Sequence, residues 1–408
     1  MESQLDVRQS GPKPSDTGNS HKCVVMQLTW SLVAGGAEMY ALSLASNLDR
    51  NRYHVILCAL DQGGALEPEV CRSGIPYFVM HRRPGIQLGL MWKLFLLFRK
   101  TGVEVVHTHH FNQLFYSAIG ARLAGARLIH TEHSVEFCSR WDLRLALRLL
   151  CGLCDKVVAV GSHGERTLRQ RVGIPPHKLR VIPGGVKLSN SSEPKYEARR
   201  TLGLSQDARV ATIVARLYPE KNHRMLLSAF DAVRRHVPGA QLLIVGEGVE
   251  ETAISAEISR LGLTDLVHML GVRRDISRIL AASDVFLLSS HREAFPIAVL
   301  EAMAAELPVI ATAVGDLPSI LEDGVTGRLI GPGDTQAFAC AIIDVLNDPG
   351  GARRMGRQAR RSVAAFGLAK MVENYEALYA GNVARRRPPT AHCSQVGSPH
   401  SSATELNL

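Results

Sequence analysis

The feature that most constrains this chain is an alternation that begins at Cys23, where short runs rich in Val, Ile and Leu are separated by longer segments with amphipathic helical spacing. A short, continuously apolar run makes a strand buried on both faces, and such a strand needs helices on both sides of its sheet. The pattern therefore predicts an α/β chain built on doubly wound parallel sheets. Strands are expected near Cys23–Thr29, His54–Leu60, Pro76–Met80, Val103–His107, Arg127–His130 and Lys156–Val160. A second series is expected near Arg209–Ala215, Gln241–Val245, Val267–Leu270, Asp284–Ser289 and Pro308–Thr312.

Between the two series lie Pro183-Gly184-Gly185 and the polar stretch Ser189–Tyr196, which mark a boundary. A chain of 408 residues also exceeds the roughly 250 to 300 at which one core stops growing. The expected organisation is a disordered tail over 1–20, a first domain over 21–186, a linker over 187–204 and a second domain over 205–366. A helix over 367–383 is expected to cross back to the first domain, and a disordered tail to follow from 384 to 408.

The net charge of +9 suits nucleic acid, an anionic membrane or a phosphorylated ligand, but no nucleic-acid motif is present. Residues 1–20 lack the apolar core of a signal peptide, so a cytoplasmic protein is expected. The eight cysteines, most of them inside apolar runs, read as reduced thiols; Cys151 and Cys154 form a C-x-x-C without a second ligand pair at zinc spacing. The most apolar segment, Gly85–Phe98, is broken by Lys93 and is shorter than the roughly 20 residues a bilayer span needs, which makes it a packed or interfacial helix. Basic and apolar residues interleave there and again between Arg140 and Leu150, a pattern compatible with peripheral association with anionic lipid.

Ligands of open α/β sheets bind at the carboxyl ends of strands, so the chemistry is sought in the loops that follow them. After the first strand come Gly35 and Gly36, which open a helix and offer close backbone approach and free N–H groups to a phosphate. In the second domain Arg216 and Lys221 follow a strand, and together they can neutralise one anion. Glu293 precedes a helix start at which Pro296 fits the first position, and Glu301 lies inside that helix. Two carboxylates at that spacing can hold opposite ends of an elongated ligand, with the intervening N–H groups facing its phosphates. Gly246 belongs to a Val-Gly-Glu-Gly turn after another strand. Histidines 107, 109 and 110 cluster at one strand end, and His133 stands at the next.

This set resembles glycosyltransferase family 4, retaining enzymes of the GT-B fold, in which two Rossmann-like doubly wound domains face each other across the active-site cleft. The Gly-Gly loop, the ARLYPEKN and VGEG segments and the Glu-seven-residues-Glu spacing of EAFPIAVLE occur in the family's order, and the likeness runs from about Cys23 to Tyr379. The resemblance implies that Arg216 and Lys221 bind the donor diphosphate, Glu301 the ribose, and Glu293 the sugar hydroxyls with the N–H groups of Ala294 and Phe295. It makes Gly35, Gly36 and Gly246 donor-binding, His109 a residue of the reaction centre and His133 a candidate on the acceptor side. The first domain would then take the acceptor and the second the donor.

The implied reaction moves a sugar from a nucleotide diphosphate sugar to a glycan, lipid-linked or small-molecule acceptor, in polysaccharide or glycoconjugate synthesis. No cofactor, metal or nucleic acid is called for, since no Asp-x-Asp pair is present to bridge a metal. A nucleotide-sugar epimerase or a non-catalytic component of an assembly complex would share the fold. A nicotinamide dehydrogenase is disfavoured, because Gly246-Glu247-Gly248 lacks the third glycine of its fingerprint.

Overall fold

The computed structural model describes residues 7–8, 21–33, 35–134, 140–188 and 193–381. The tails expected over 1–20 (Val7 and Arg8 apart) and 384–408 lie outside the described residues, as do Ala34, Cys138, Cys393 and residues 189–192. The chain divides into two compact units. One holds Met1–Val160, Gly164–Ile182 and the chain from Val372; the other holds Pro183–Met371 with Gly161–His163.

The first unit is built on strands β1 (Val7–Arg8), β2 (Cys23–Thr29), β3 (Tyr53–Ala59), β4 (Tyr77–Val79), β5 (Val105–His109), β6 (Arg127–Glu132), β7 (Lys156–Ala159) and β8 (Leu179–Val181). Their order is β1-β4-β3-β2-β5-β6-β7-β8. The pairs are parallel except β1, which joins β4 antiparallel. Right-handed crossovers put the helix Gly36–Asn47 on one face, and Leu88–Thr101, Phe111–Leu123 and Trp141–Leu153 on the other. On that second face Leu94, Phe98, Leu114 and Leu147 close the core over Val106 and Leu128. On the first face the helix Leu368–Ala380 buries Tyr375 and Tyr379.

The second unit carries β9 (Arg209–Val214), β10 (Ala240–Val245), β11 (Val267–Met269), β12 (Val285–Leu288), β13 (Val309–Thr312) and β14 (Gly327–Ile330). Their order is β11-β10-β9-β12-β13-β14, all parallel. In chain order this is 3-2-1-4-5-6, the Rossmann arrangement, and the first unit repeats it from β2 onward with β8 added at the edge. Ile213, Phe230 and Phe338 fill one side of the sheet, while Phe286, Leu300 and Met303 fill the other. Truncating Phe230 or Phe338 to Ala would cost about 3 to 5 kcal/mol.

The doubly wound α/β expectation holds in both units, with strand ends shifted by up to two residues. The expected linker over 187–204 differs: it contains the helix Lys195–Thr201, which belongs to the second unit. Its Arg199 is buried and donates to Asp284 Oδ2 at 2.8 Å, to the Ala282 carbonyl at 3.0 Å and to the Gln206 carbonyl. Among the described residues no helix is long and apolar enough to cross a membrane.

Candidate active site

In a 3-2-1-4-5-6 sheet the loops after the first and fourth strands diverge, and a ligand crevice opens between them. In the second unit that point lies between β9 and β12, which pair through Ala211–Val285 and Thr212–Phe286. The chain leaves β9 through Arg216, makes the single turn Pro219–Lys221 and enters the helix His223–His236. Asn222 holds this corner at φ 52°, a left-handed value Asn tolerates, while its Oδ1 accepts the Met225 N–H at 3.3 Å.

Lys221 Nζ donates to Glu293 Oε1 at 2.6 Å, and Ser290 Oγ donates to the same oxygen at 2.6 Å. Both members of the ion pair are largely buried, with side chains 16% and 7% exposed, so solvent screens their attraction weakly. The two loops are also joined through the main chain: the His291 N–H donates to the Glu220 carbonyl at 2.8 Å, and Ser289 Oγ to the Lys221 carbonyl at 3.0 Å. Arg216 lies over the Tyr218 ring, 4.7 Å from its centroid, and Nη2 donates to Glu220 Oε1 at 3.2 Å. Its side chain is largely exposed, and a guanidinium with five N–H donors keeps several for an anion.

The helix Ile297–Ala304 starts after Pro296, which is its N-cap rather than its first residue and supplies no side-chain acceptor. The N–H groups of Ala294 and Phe295 make no hydrogen bond within the described residues, so this helix start keeps donors for an anion. Glu301 lies further along the helix without a hydrogen bond or ion pair among the described residues, and burial pushes its carboxyl up to about 7. A carboxylate without a partner is a costly group to bury, and a ribose diol would give it two donors.

Glycines brace these loops. Gly246 has φ 139°, and a Cβ there would strike the Ala215 carbonyl; its N–H is spent on the Gly271 carbonyl at 2.8 Å. The position expected to bind donor therefore seats the Arg216 loop and presents no free N–H. Gly315, at φ 58°, lies against the Glu293 carbonyl in the same way. A hollow of about 290 Å³ lined by Lys195, Arg209, Asp284 and Pro308 lies at the amino ends of β9, β12 and β13, the wrong end of the sheet for this chemistry.

In the first unit the matching point lies between β2 and β5. Gly35 is the N-cap of the helix Gly36–Asn47, again without a side-chain cap, and a Cβ on Gly36 would meet open space. Alternation along β5 sends His107 and His109 to one face and Thr108 to the other. His107 bridges Tyr379 Oη at 2.6 Å and Thr131 Oγ1 at 2.7 Å. His109 Nε2 meets Gln27 Oε1 at 2.8 Å, and its Nδ1 lies 2.9 Å from His133 Nε2, the two rings stacked 5.2 Å apart. Gln27 Nε2 donates to Tyr379 Oη, and Thr131, Tyr375 and Tyr40 continue the chain of hydroxyls.

Burial, then the neighbouring imidazoles, hold His107, His109 and His133 well below their usual range, so the cluster is neutral. On the opposite face burial works against the charge on Glu132, but the hydrogen bond with His110 and the imidazole of His130, 3.4 Å from the other carboxylate oxygen, outweigh it and bring the carboxyl down to about 2.

The structure thus joins Lys221 with Glu293 and His109 with His133. It also places Arg216, Ala294 and Phe295 on the two loops that flank the second switch point. Sequence reasoning missed Ser290 and Gly315, although a Gly in the loop after β13 was a signal. It also missed Gln27, Tyr375 and Tyr379, for which the two tyrosines four residues apart on a helix were a faint one.

Comparison with known proteins agrees with this fold. Residues 34–190 match the model described as Glycosyltransferase Family 4, and residues 194–362 the model described as Glycosyl transferases group 1. The N-acetyl-alpha-D-glucosaminyl L-malate synthase of Bacillus anthracis is 34% identical over 304 residues, covering 72% of this chain and 79% of that enzyme. An Escherichia coli enzyme, UDP-Gal:alpha-D-GlcNAc-diphosphoundecaprenol alpha-1,3-galactosyltransferase, is 29% identical over 307 residues, with the same two coverages of 72% and 79%. Anabaena HepE, solved with UDP and glucose, shares the fold with a TM-score of 0.77 at 24% identity, over 88% of this chain and 100% of that one. With these matches, two Rossmann-like units and a cation-bearing switch point identify a nucleotide-sugar glycosyltransferase. This chain belongs to the family 4, group 1 glycosyltransferases.

Proposed function

We propose that the chain transfers a sugar from a uridine diphosphate donor to a glycan, lipid-linked or small-molecule acceptor, with retention of configuration and without a metal ion. The reading places it in the cytoplasm, peripheral to an anionic membrane, in polysaccharide or glycoconjugate synthesis. The observation that carries it is the Lys221–Glu293–Ser290 contact beside Arg216 and an uncapped helix start, at the switch point of the second sheet. The uridine base is supported by the donor named for the Escherichia coli relative and by the UDP bound to HepE.

In this reading the bond from the anomeric carbon to the diphosphate breaks, and its electron pair leaves on the phosphate oxygen. Arg216, Lys221 and the N–H groups of Ala294 and Phe295 stabilise that charge, so the protein supplies the neutralisation a metal would otherwise bring. Lys221 exchanges Glu293 for the diphosphate, and the freed Glu293 accepts from sugar hydroxyls. The acceptor hydroxyl attacks from the face the diphosphate leaves, and its proton passes to the departing phosphate. His109 orients rather than deprotonates, because both its ring nitrogens are engaged and its basicity is low. Glu301 takes the ribose.

The test is thermal shift with UDP, GDP, ADP and the common UDP-sugars, followed by proton NMR of sugar released from the stabilising donor in the presence of EDTA. A bound donor at 100 times its Kd adds about 2.7 kcal/mol of stability. Stabilisation by UDP and release of the α-anomer from an α-linked donor are expected. A donor that is epimerised, or no response to any nucleoside diphosphate, would overturn the reading, and dependence on a divalent ion would overturn its metal-free part.

A further inference from the structure

The helices Leu88–Thr101, Phe111–Leu123 and Trp141–Leu153 lie side by side over one face of the first unit's sheet, close enough that Gly120 packs directly on Phe95. A helix covering a sheet ordinarily turns polar side chains to water. These three expose large apolar side chains beside their charged ones. Trp141, Leu145, Leu149 and Leu153 recur every fourth residue, which puts them on one side of their helix, and all are exposed, Trp141 by 72% and Leu149 by 67%. Leu88 and Trp92 do the same on the first helix, with Trp92 61% exposed, and Ile119 and Leu123 on the second. Monomers rarely leave so many large apolar side chains exposed on neighbouring helices unless something covers them.

The charges say what covers them. Across the three helices the cations are Lys93, Arg99, Lys100, Arg122, Arg144 and Arg148, against one acid, Asp142, which is tied to Arg140 at 2.6 Å. Arg99, Lys100, Arg144 and Arg148 have no ion pair among the described residues. A second copy docked about a twofold axis would bring these like charges together. Arg122 is already paired with Asp155 at 2.8 Å, and an anionic surface takes the four unpaired cations, since long basic side chains reach phosphates while their stems stay among apolar groups. Exposed tryptophans suit the same boundary.

We propose that this three-helix face docks on an anionic phospholipid bilayer, with Trp92, Trp141, Leu145 and Leu149 inserted and the arginines and lysines at the headgroup phosphates. The proposal deepens the peripheral localisation in the reading above, yet involves neither donor nor transfer, so its failure is distinguishable from failure of the transferase chemistry.

The full chain is sedimented with phosphatidylcholine vesicles, with and without about 30% phosphatidylglycerol. Binding to the anionic vesicles is expected at low salt and should weaken at about 0.5 M salt. Leu145→Asp with Leu149→Asp should lower vesicle affinity at least about tenfold, and Arg144→Glu with Arg148→Glu should abolish the preference for anionic lipid. Should the apolar variant fail to fold, quenching of Trp92 and Trp141 fluorescence by brominated acyl chains in the unmodified protein tests the same insertion. The proposal is overturned if the wild type does not bind anionic vesicles at low salt. It is equally overturned if a folded Leu145→Asp, Leu149→Asp variant binds like wild type, or if the face proves to be the seam of a soluble dimer that does not bind vesicles.

Discussion

Lys221 Nζ stands 2.6 Å from Glu293 Oε1, so the residue expected to hold a diphosphate and the residue expected to hold a sugar are one ion pair. Such a pair keeps an ammonium poised where leaving-group charge develops and leaves a carboxylate once the ammonium moves. Lys221→Ala should lower kcat/KM by about 10² to 10³, roughly 3 to 4 kcal/mol. Glu293→Gln added to it should cost less than it does alone, because the two share one interaction. Steady-state donor hydrolysis by the two single variants and the double variant measures this. Additive losses, or wild-type turnover by Lys221→Ala, would refute the assignment.

Glu301 carries a different signature. Burial raises its carboxyl to about 7 from an ordinary 4.5, so the folded state keeps a proton that the unfolded chain has lost. A raised carboxyl costs stability as pH climbs from 4.5 to 7, and the full cost is present above 7. Glu301→Gln should therefore raise the Tm at pH 8, by up to about 2 kcal/mol of stability, while weakening nucleotide binding. Calorimetry with and without UDP separates the two effects. A variant that loses stability at pH 8 would show Glu301 to be structural.

The histidine cluster reverses that sign. His107, His109 and His133 are depressed below 6.5, so the unfolded chain takes up protons that the folded one refuses. Their share of stability is complete above pH 6.5 and declines as pH falls, by up to about 1.4 kcal/mol per pH unit for each ring. Glu132, held at about 2, adds its own loss only below 4.5, leaving the window between 6.5 and 4.5 to the imidazoles, among which His223, brought down to about 4 by burial, and His54 contribute alongside the cluster. Glu301 opposes them in that window, so the Tm is best followed from pH 7.5 to 5 in the Glu301→Gln background. A falling Tm that becomes shallower in His109→Gln is expected, whereas a flat profile with His109 intact would mean that the folded rings take up protons as readily as the unfolded ones.

The strands with continuous apolar runs were readable because a core on both faces leaves that mark in the sequence. β8 and β14 were not, since in β8 Leu179 alone is buried and β14 contains Gly327 and Arg328. The site divides in the same way. Arg216, Lys221 and Glu293 sit in short segments after strands, where charge and turn residues stand out against apolar runs. Gln27 is a single polar residue inside an apolar strand, and its partner Tyr379 lies 352 residues away, a distance no local pattern spans. Ser290 carries its meaning through one oxygen contact, which composition does not reveal.

His110 begins the helix Phe111–Leu123 at φ 80° and ψ 160°, a region glycine enters freely and other residues enter at a cost of roughly 1 to 3 kcal/mol. Its ring is held by Glu132 Oε1, 3.2 Å from Nδ1, which aims the imidazole beside His133 with centroids 5.1 Å apart. Replacing His110 by Ala or by Gly removes the ring and its contact with Glu132 equally, so the two variants differ in the backbone alone. Glycine normally loses that comparison by about 0.5 to 1 kcal/mol, through the entropy of the unfolded chain. Here the relieved strain should outweigh the entropy, leaving His110→Gly more stable than His110→Ala by up to about 2 kcal/mol. Chemical denaturation of the two variants decides it, and an alanine variant equal to or above the glycine one would mean that the turn stores no strain.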